Sequence, residues 1–143
     1  METAVSITVV SAVIIRKGRV LLTQRDPSRS DYGLFWESPG GKVEPNEPEA
    51  DAVLREVREE LGVEQAEIVE HLATFDFDPD TNCEIVRPCT VHFYLVDIGN
   101  ADPLPLEAVD LRWFTAEEMH ALKLIPGNAR FADGIAALLR ANA

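Results

Sequence analysis

Three glutamates, Glu56, Glu59 and Glu60, follow one another at spacings i, i+3 and i+4. On a helix that spacing puts all three side chains on one side, close enough to repel. Mutual repulsion raises at least one of their pKa values, and a cation relieves it. Carboxylate oxygens suit hard ions, and Mg²⁺ in particular takes one or two carboxylates together with waters and substrate phosphates. A cation held this way could polarise a phosphoryl oxygen, activate water and offset leaving-group charge. The run Arg55-Glu56-Val57-Arg58-Glu59-Glu60 also fits a solvated face on which Arg55 and Arg58 pair with neighbouring glutamates. These six residues alone leave both readings open.

The longer segment points to one chemistry. Gly41, Glu47, Arg55, Glu56, Val57, Glu59, Glu60, Gly62 and Val63 fill every specified position of a pattern that resembles the Nudix box, G-x5-E-x7-R-E-U-x-E-E-x-G-U, where U is bulky and apolar. Nine positions at fixed spacing carry far more information than a short glycine motif. The preceding Trp36-Glu37-Ser38-Pro39-Gly40-Gly41-Lys42-Val43-Glu44 is similar to the lead-in of the MutT-like branch.

The resemblance implies a Nudix fold, with a mixed β-sheet between helices, and Mg²⁺-dependent hydrolysis of a diphosphate linkage in a nucleotide, with Mn²⁺ as a second cation. By position it makes Glu56, Glu59 and Glu60 the metal ligands, with the Gly40 carbonyl completing the shell. It implies that Arg55 pairs with and orients a glutamate, Glu47 being the first partner to expect. Glu59 becomes the first candidate to contact the attacking water, and a later carboxylate, Glu107 or Asp110, the base. Arg25 resembles a phosphate-contacting arginine of that branch, though a surface arginine is an equal reading. Lys42 reads as exposed or bracing a loop.

The substrate that the resemblance implies first is a nucleoside triphosphate, canonical or oxidised, cleaved to monophosphate and pyrophosphate. Asn128 stands where that branch reads a purine edge, and its amide offers the required donor and acceptor; a cap for the last helix is the alternative. Trp36 and Phe35 could stack a base, while core packing is the commoner fate of such rings. The runner-up is ADP-ribose or another nucleoside-diphosphate sugar, for which Pro79 is a cue that a polar turn explains equally well. A non-catalytic nucleotide-binding module usually loses box glutamates, and here each is present.

The elements that must position these groups follow from periodicity. A helix is expected over residues 48–61, with Pro48 in its first turn, Asn46 or Glu47 as cap and Gly62 as stop. Its apolar face would hold Ala50, Val53, Leu54, Val57 and Leu61. Upstream, residues 7–15 and 20–24 read as a hairpin turning at Lys17-Gly18. Pro39-Gly40-Gly41 reads as a backbone break. Downstream, strands are expected over 68–76 and 86–97, the second central because it is nearly all apolar. A short strand over 110–114 leads to a capping box at Thr115, and a final amphipathic helix spans 129–141. The mixture without strict alternation predicts an α+β fold, an α/β/α sandwich.

Composition sets the outer bounds. At 143 residues the chain suits one domain, 1–143, with room for a core. The net charge of −12 repels a long phosphate backbone, which excludes DNA or RNA as a favoured partner but not a small nucleotide. No run approaches the length of a membrane span. Met1 to Val5 carry no basic stretch before an apolar core, so no secretory leader is expected. Two cysteines, Cys83 and Cys89, without a CxxC pair, predict thiols in a reducing cytoplasm. The assembly expected is a monomer or homodimer.

Overall fold

A computed structural model describes residues 6–29, 32–78 and 88–141. Pro79 and Cys83 lie outside the described residues, as does the start of the strand expected over 86–97.

The mixed sheet between helices is present, split into two four-stranded sheets. Strand β1 (Ile7–Val13) runs parallel to β7 (Cys89–Asp97), which pairs antiparallel with β6 (Glu67–Phe77). On its other side β1 pairs antiparallel with β5 (Gly40–Lys42), giving the order β5-β1-β7-β6. The second sheet is built on β3 (Arg19–Gln24), which pairs antiparallel with β2 (Ile15–Arg16), β4 (Trp36–Glu37) and β8 (Asp110–Phe114).

The hairpin expected over 7–15 and 20–24 is therefore real only at its tip. Lys17 and Gly18 both take positive φ, 52° and 74°, as a tight hairpin turn requires. The ladder across it is two pairs long, Ile15 with Val20 and Arg16 with Arg19, followed by a bond from the Leu21 N–H to the Ile14 carbonyl. The chain passes from one sheet to the other at Ile14, a fully buried residue. The supposed break at Pro39-Gly40-Gly41 is also a strand, since Gly40 and Gly41 pair with Ser11 and Val10.

Alternation along β1 feeds two cores. Val10, Ala12 and Ile14 pack with Leu21 and with Ala52, Val53, Val57 and Leu61 of helix α1 (Glu49–Leu61). Val13, Val20, Leu22, Val91 and Phe93 pack instead with Ala132, Ile135 and Leu139 of helix α3 (Pro126–Ala141). Successive strand residues point to opposite faces, so one strand serves both layers. Between β8 and α3 lies the short helix α2 (Ala116–His120), opened by the expected capping box, with Thr115 and Glu118 bonded reciprocally.

Helix α1 departs from expectation at its start. Pro48 is itself the cap residue, with no side-chain cap bond; its carbonyl accepts from the Ala52 N–H. The buried face holds Ala52 in place of Ala50, and Leu54 lies at the margin. At the other end Gly62 adopts φ 70° and closes on the Arg58 carbonyl, as expected. Helix α3 begins three residues earlier than periodicity implies. Pro126 suits a first turn, and Gly127 packs toward Val91 and Phe93.

Candidate active site

The buried stripe of α1 contains acids. Glu56 and Glu60 are four residues apart and interleave with Ala52, Val53, Val57 and Leu61, the residues that seat the helix on the sheet. A carboxylate on that stripe is carried inward, against the backbone of β5. Gly40 N–H donates to Glu60 Oε2 at 2.7 Å. Beside it, Gly41 leaves room for Glu56, whose Oε1 would lie 2.4 Å from a Cβ built there. Glu59 is one position round the helix and is turned to solvent, with 47% of its side chain exposed.

Arg55 ties the segment together. Its Nε and Nη2 donate to the two carboxylate oxygens of Glu47 at 2.8 and 3.0 Å, a bidentate pairing with the partner that the resemblance implies first. Nη1 donates to Glu56 at 3.0 Å and Glu59 at 3.3 Å, and Nη2 also reaches the Lys42 carbonyl at 3.0 Å. The same guanidinium holds Glu47 well below the ordinary carboxylate range, at about 2, helped by the Glu44 N–H.

The electrostatics of the inner pair run the other way. Burial pushes the Glu60 carboxyl up to about 9, reinforced by the charges of Glu56, Glu37 and Glu107 and only partly offset by the Gly40 N–H. Burial also raises Glu56, against the pull of Arg55. Among the described residues, no three His, Cys, Asp or Glu side chains stand ready to hold a metal ion. The expected ligand triad is thus not preassembled: Arg55 engages Glu56 and Glu59, and Glu59 points outward. The donor set still suits a hard cation. Carboxylates that raise one another's pKa around a buried acid lack positive charge, and oxygen donors supply what Mg²⁺-like ions prefer.

Glu60 forms part of the wall of a cavity of about 470 Å³. Around Glu60 the lining includes Gly40, Gly41, Lys42, Glu37, Arg25 and Arg29, and it also includes the apolar side chains of Ile7, Phe77, Cys89 and Val91. Asn128 completes it from the first turn of α3. The Asn128 side chain is 1% exposed and bonded reciprocally to Ser38: Oδ1 accepts from the Ser38 N–H at 3.1 Å, and Nδ2 donates to Oγ at 2.8 Å. Because α3 starts at Pro126, Asn128 lies inside the helix and is not its cap.

Arg25 also lines the cavity, paired with Glu37 through Nε at 2.5 Å and Nη2 at 3.1 Å. Trp36 does not reach it. That ring is 8% exposed and sits edge-on to Phe114 at 4.9 Å between centroids, inside the α3-side core. The period-two alternation explains this: Trp36 and Glu37 point to opposite faces of β4, and Glu37 takes the cavity side. Phe35 is half-buried against Tyr32, and Tyr32, with Phe77 and Phe93, lines the cavity.

The two candidate bases separate clearly. Asp110 is bound to its own strand, accepting from the Leu111 N–H at 2.8 Å and from Arg112 Nε at 2.9 Å. Glu107 is exposed, and its charge is felt at both Glu56 and Glu60. Sequence reasoning passed over Glu37, Ser38 and Tyr32 as site residues. Glu37 and Ser38 stood in the quoted lead-in, whereas nothing in the spacing marked Tyr32.

Comparison with known proteins agrees with this geometry. Residues 6–135 match the NUDIX domain family. A putative 8-oxo-dGTP diphosphatase 2 of Mycobacterium tuberculosis is 33% identical over 135 residues, covering 94% of this chain and 92% of that protein. The CTP pyrophosphohydrolase of Escherichia coli is 52% identical over 68 residues, which span 48% of this chain and 49% of that one. Among solved structures, the E. coli ORF135 protein shares 32% identity with a TM-score of 0.73, covering 95% of this chain and 92% of that one. The MutT protein from Methanosarcina mazei Go1 shares 27% at a TM-score of 0.76, covering 99% and 98%. No helix among the described residues is long and apolar enough to cross a membrane. The chain belongs to the Nudix hydrolase family, within its MutT-like branch.

Proposed function

We propose that the chain hydrolyses a nucleoside triphosphate to the monophosphate and pyrophosphate in the cytoplasm, with Mg²⁺ as cofactor and Mn²⁺ as a substitute. One observation carries this reading: a partly buried carboxylate, Glu60, lines a cavity together with the cationic side chains of Arg25, Arg29 and Lys42, apolar side chains and the buried amide of Asn128. A nucleoside triphosphate calls for both kinds of lining, charge for its phosphates and apolar and amide groups for its base.

Glu56, Glu59 and Glu60, with the Gly40 carbonyl, would hold the cation. When bound it supplies positive charge for the phosphate oxygens and lowers the pKa of water. The chain's own residues do the rest. Arg55 fixes Glu47 and restrains Glu56 and Glu59, which sets where carboxylate charge can be presented. Arg25, held by Glu37, and Lys42 face the phosphates from the cavity wall. Glu107 takes the proton from the attacking water, in preference to Asp110, which its own strand occupies. Asn128 presents its amide to the base edge while Ser38 fixes its orientation. Positioning and electrostatics account for catalysis of this kind.

The relatives' names divide between a pyrimidine and an oxidised purine. The test is therefore a panel of CTP, dCTP, 8-oxo-dGTP, the common triphosphates and ADP-ribose, with products identified. Monophosphate plus pyrophosphate is expected from the preferred triphosphate, with loss of at least a hundredfold in kcat for Glu60→Gln. Faster turnover of ADP-ribose, or release of inorganic phosphate from triphosphates, would overturn the assignment. Absence of turnover with every compound would favour a binding module.

A further inference from the structure

Two of the chain's three histidines meet on the face of the first sheet, beside the opening turn of α1. His71 lies on β6 and His92 on β7, and His71 Nε2 stands 3.3 Å from His92 Nδ1. Thr74 Oγ1 is 2.8 Å from each nitrogen. A β-bulge creates this grouping. Residues three apart on a strand ordinarily face opposite ways, but the register shifts between His71 and Ala73, so that His71 lies opposite Tyr94 and Thr74 opposite His92. Bulges of this sort re-aim side chains and are found beside functional sites.

We propose that His71 and His92 form a second metal site, for a borderline transition-metal ion such as Zn²⁺, Ni²⁺ or Cu²⁺, separate from the glutamates of α1. Two ligand nitrogens about 2.0–2.1 Å from one tetrahedral ion lie roughly 3.3 Å apart, which is the separation found here. The circle through both nitrogens and the Thr74 oxygen has a radius of roughly 1.7 Å, so an ion at usual bond lengths seats just off their plane. Imidazole nitrogen selects these ions over Mg²⁺, which prefers oxygen.

The surroundings orient the ligand. His92 Nε2 faces Glu49 Oε1 at 3.5 Å, and the Tyr94 hydroxyl donates to the same oxygen at 2.8 Å. A carboxylate behind one ring nitrogen favours a proton there and leaves a lone pair on Nδ1, the usual outer-shell device of histidine ligands. Glu49 is the first residue of α1, so an ion at His92 would brace the start of the helix that carries Glu56, about 10 Å further along its axis.

The test titrates Zn²⁺ into the protein with Mg²⁺ in large excess, followed by calorimetry and by imidazole NMR signals. One Zn²⁺ is expected to perturb His71 and His92 while leaving His120 unmoved. His71→Ala, at an exposed position, is expected to weaken Zn²⁺ binding at least tenfold, with Glu60→Gln leaving it unchanged. Cu²⁺ should show coupling to two imidazole nitrogens by electron paramagnetic resonance. Equal Zn²⁺ affinity in His71→Ala and wild type, or Zn²⁺ perturbing all three histidines alike, would overturn the site. Neither result bears on nucleotide hydrolysis.

Discussion

Gly40 and Gly41 are adjacent, yet a methyl group added to each meets a different kind of obstacle. At Gly40 the new Cβ would lie 2.0 Å from the Val10 carbonyl oxygen, which is backbone inside the β1–β5 ladder. At Gly41 it would lie 2.4 Å from Glu56 Oε1, the end of a flexible side chain. Backbone cannot swing aside, whereas a carboxylate can. Gly40→Ala should therefore cost on the order of 3 kcal/mol or more and carry the Gly40 N–H away from Glu60. Gly41→Ala should fold with little change in Tm but lose most of its activity, because Glu56 is displaced from its place beside Arg55. Thermal melts paired with initial rates check both. A Gly41→Ala protein with full activity would show that the position of Glu56 does not matter to the reaction.

At the scale of elements, α1 carries Glu56, Glu59 and Glu60, and its ends hold it in register. The loop after β7 returns to satisfy its last carbonyls: Leu104 N–H donates to Leu61 and Leu106 N–H to Glu60. Gly62, at φ 70°, makes that closure possible. Gly62→Ala would place a side chain in the left-handed region, at a cost of about 1–2 kcal/mol, and bring its Cβ to 3.3 Å from Leu106. A Tm lower by a few degrees is expected with kcat nearly intact, since no acid moves; an unchanged Tm would show that the cap contributes nothing. This helix was the most legible element because periodicity, proline and glycine all bear on it locally. The strand over 7–13 was much less legible. Its partner β7 lies some eighty residues away, and a strand covered on both faces has no pattern that names its neighbour. The same limit hid Trp36: the sequence shows a ring beside the box, but only the pairing of β4 with β3 decides which face it takes. The common side of Glu56, Glu59 and Glu60 could be read from spacing, and the resemblance paired Arg55 with Glu47; that the same guanidinium also reaches Glu56 and Glu59 could not be read, because it depends on the path of the 42–47 loop.

Over the whole molecule acid is in excess, and at Glu60 part of that excess is turned inward, with a backbone N–H as its hydrogen-bond donor. The metal-free protein should record this in its stability. Glu60 titrates at about 9 when folded, against an ordinary value of 4.5. Below pH 4.5 both states hold the proton and the group has no effect on stability. As pH rises from 4.5 the unfolded chain ionises while the folded one does not, so folding is progressively penalised until pH passes 9. Glu47 acts oppositely, contributing above its ordinary range and losing that contribution as pH falls toward about 2. Glu60→Gln isolates the first effect, because the amide oxygen can still accept from the Gly40 N–H. With a chelator present, the variant and wild type should unfold at equal denaturant concentration near pH 4. The variant should become the more stable by on the order of 1–3 kcal/mol approaching pH 9. Mg²⁺ should then restore the wild type and not the variant, more strongly the higher the pH, because the ion competes with a proton for the same oxygens. A stability difference that stays flat from pH 4 to 9 would show that folding does not raise the Glu60 pKa, and Mg²⁺ stabilising both proteins equally would remove Glu60 from the proposed cation site.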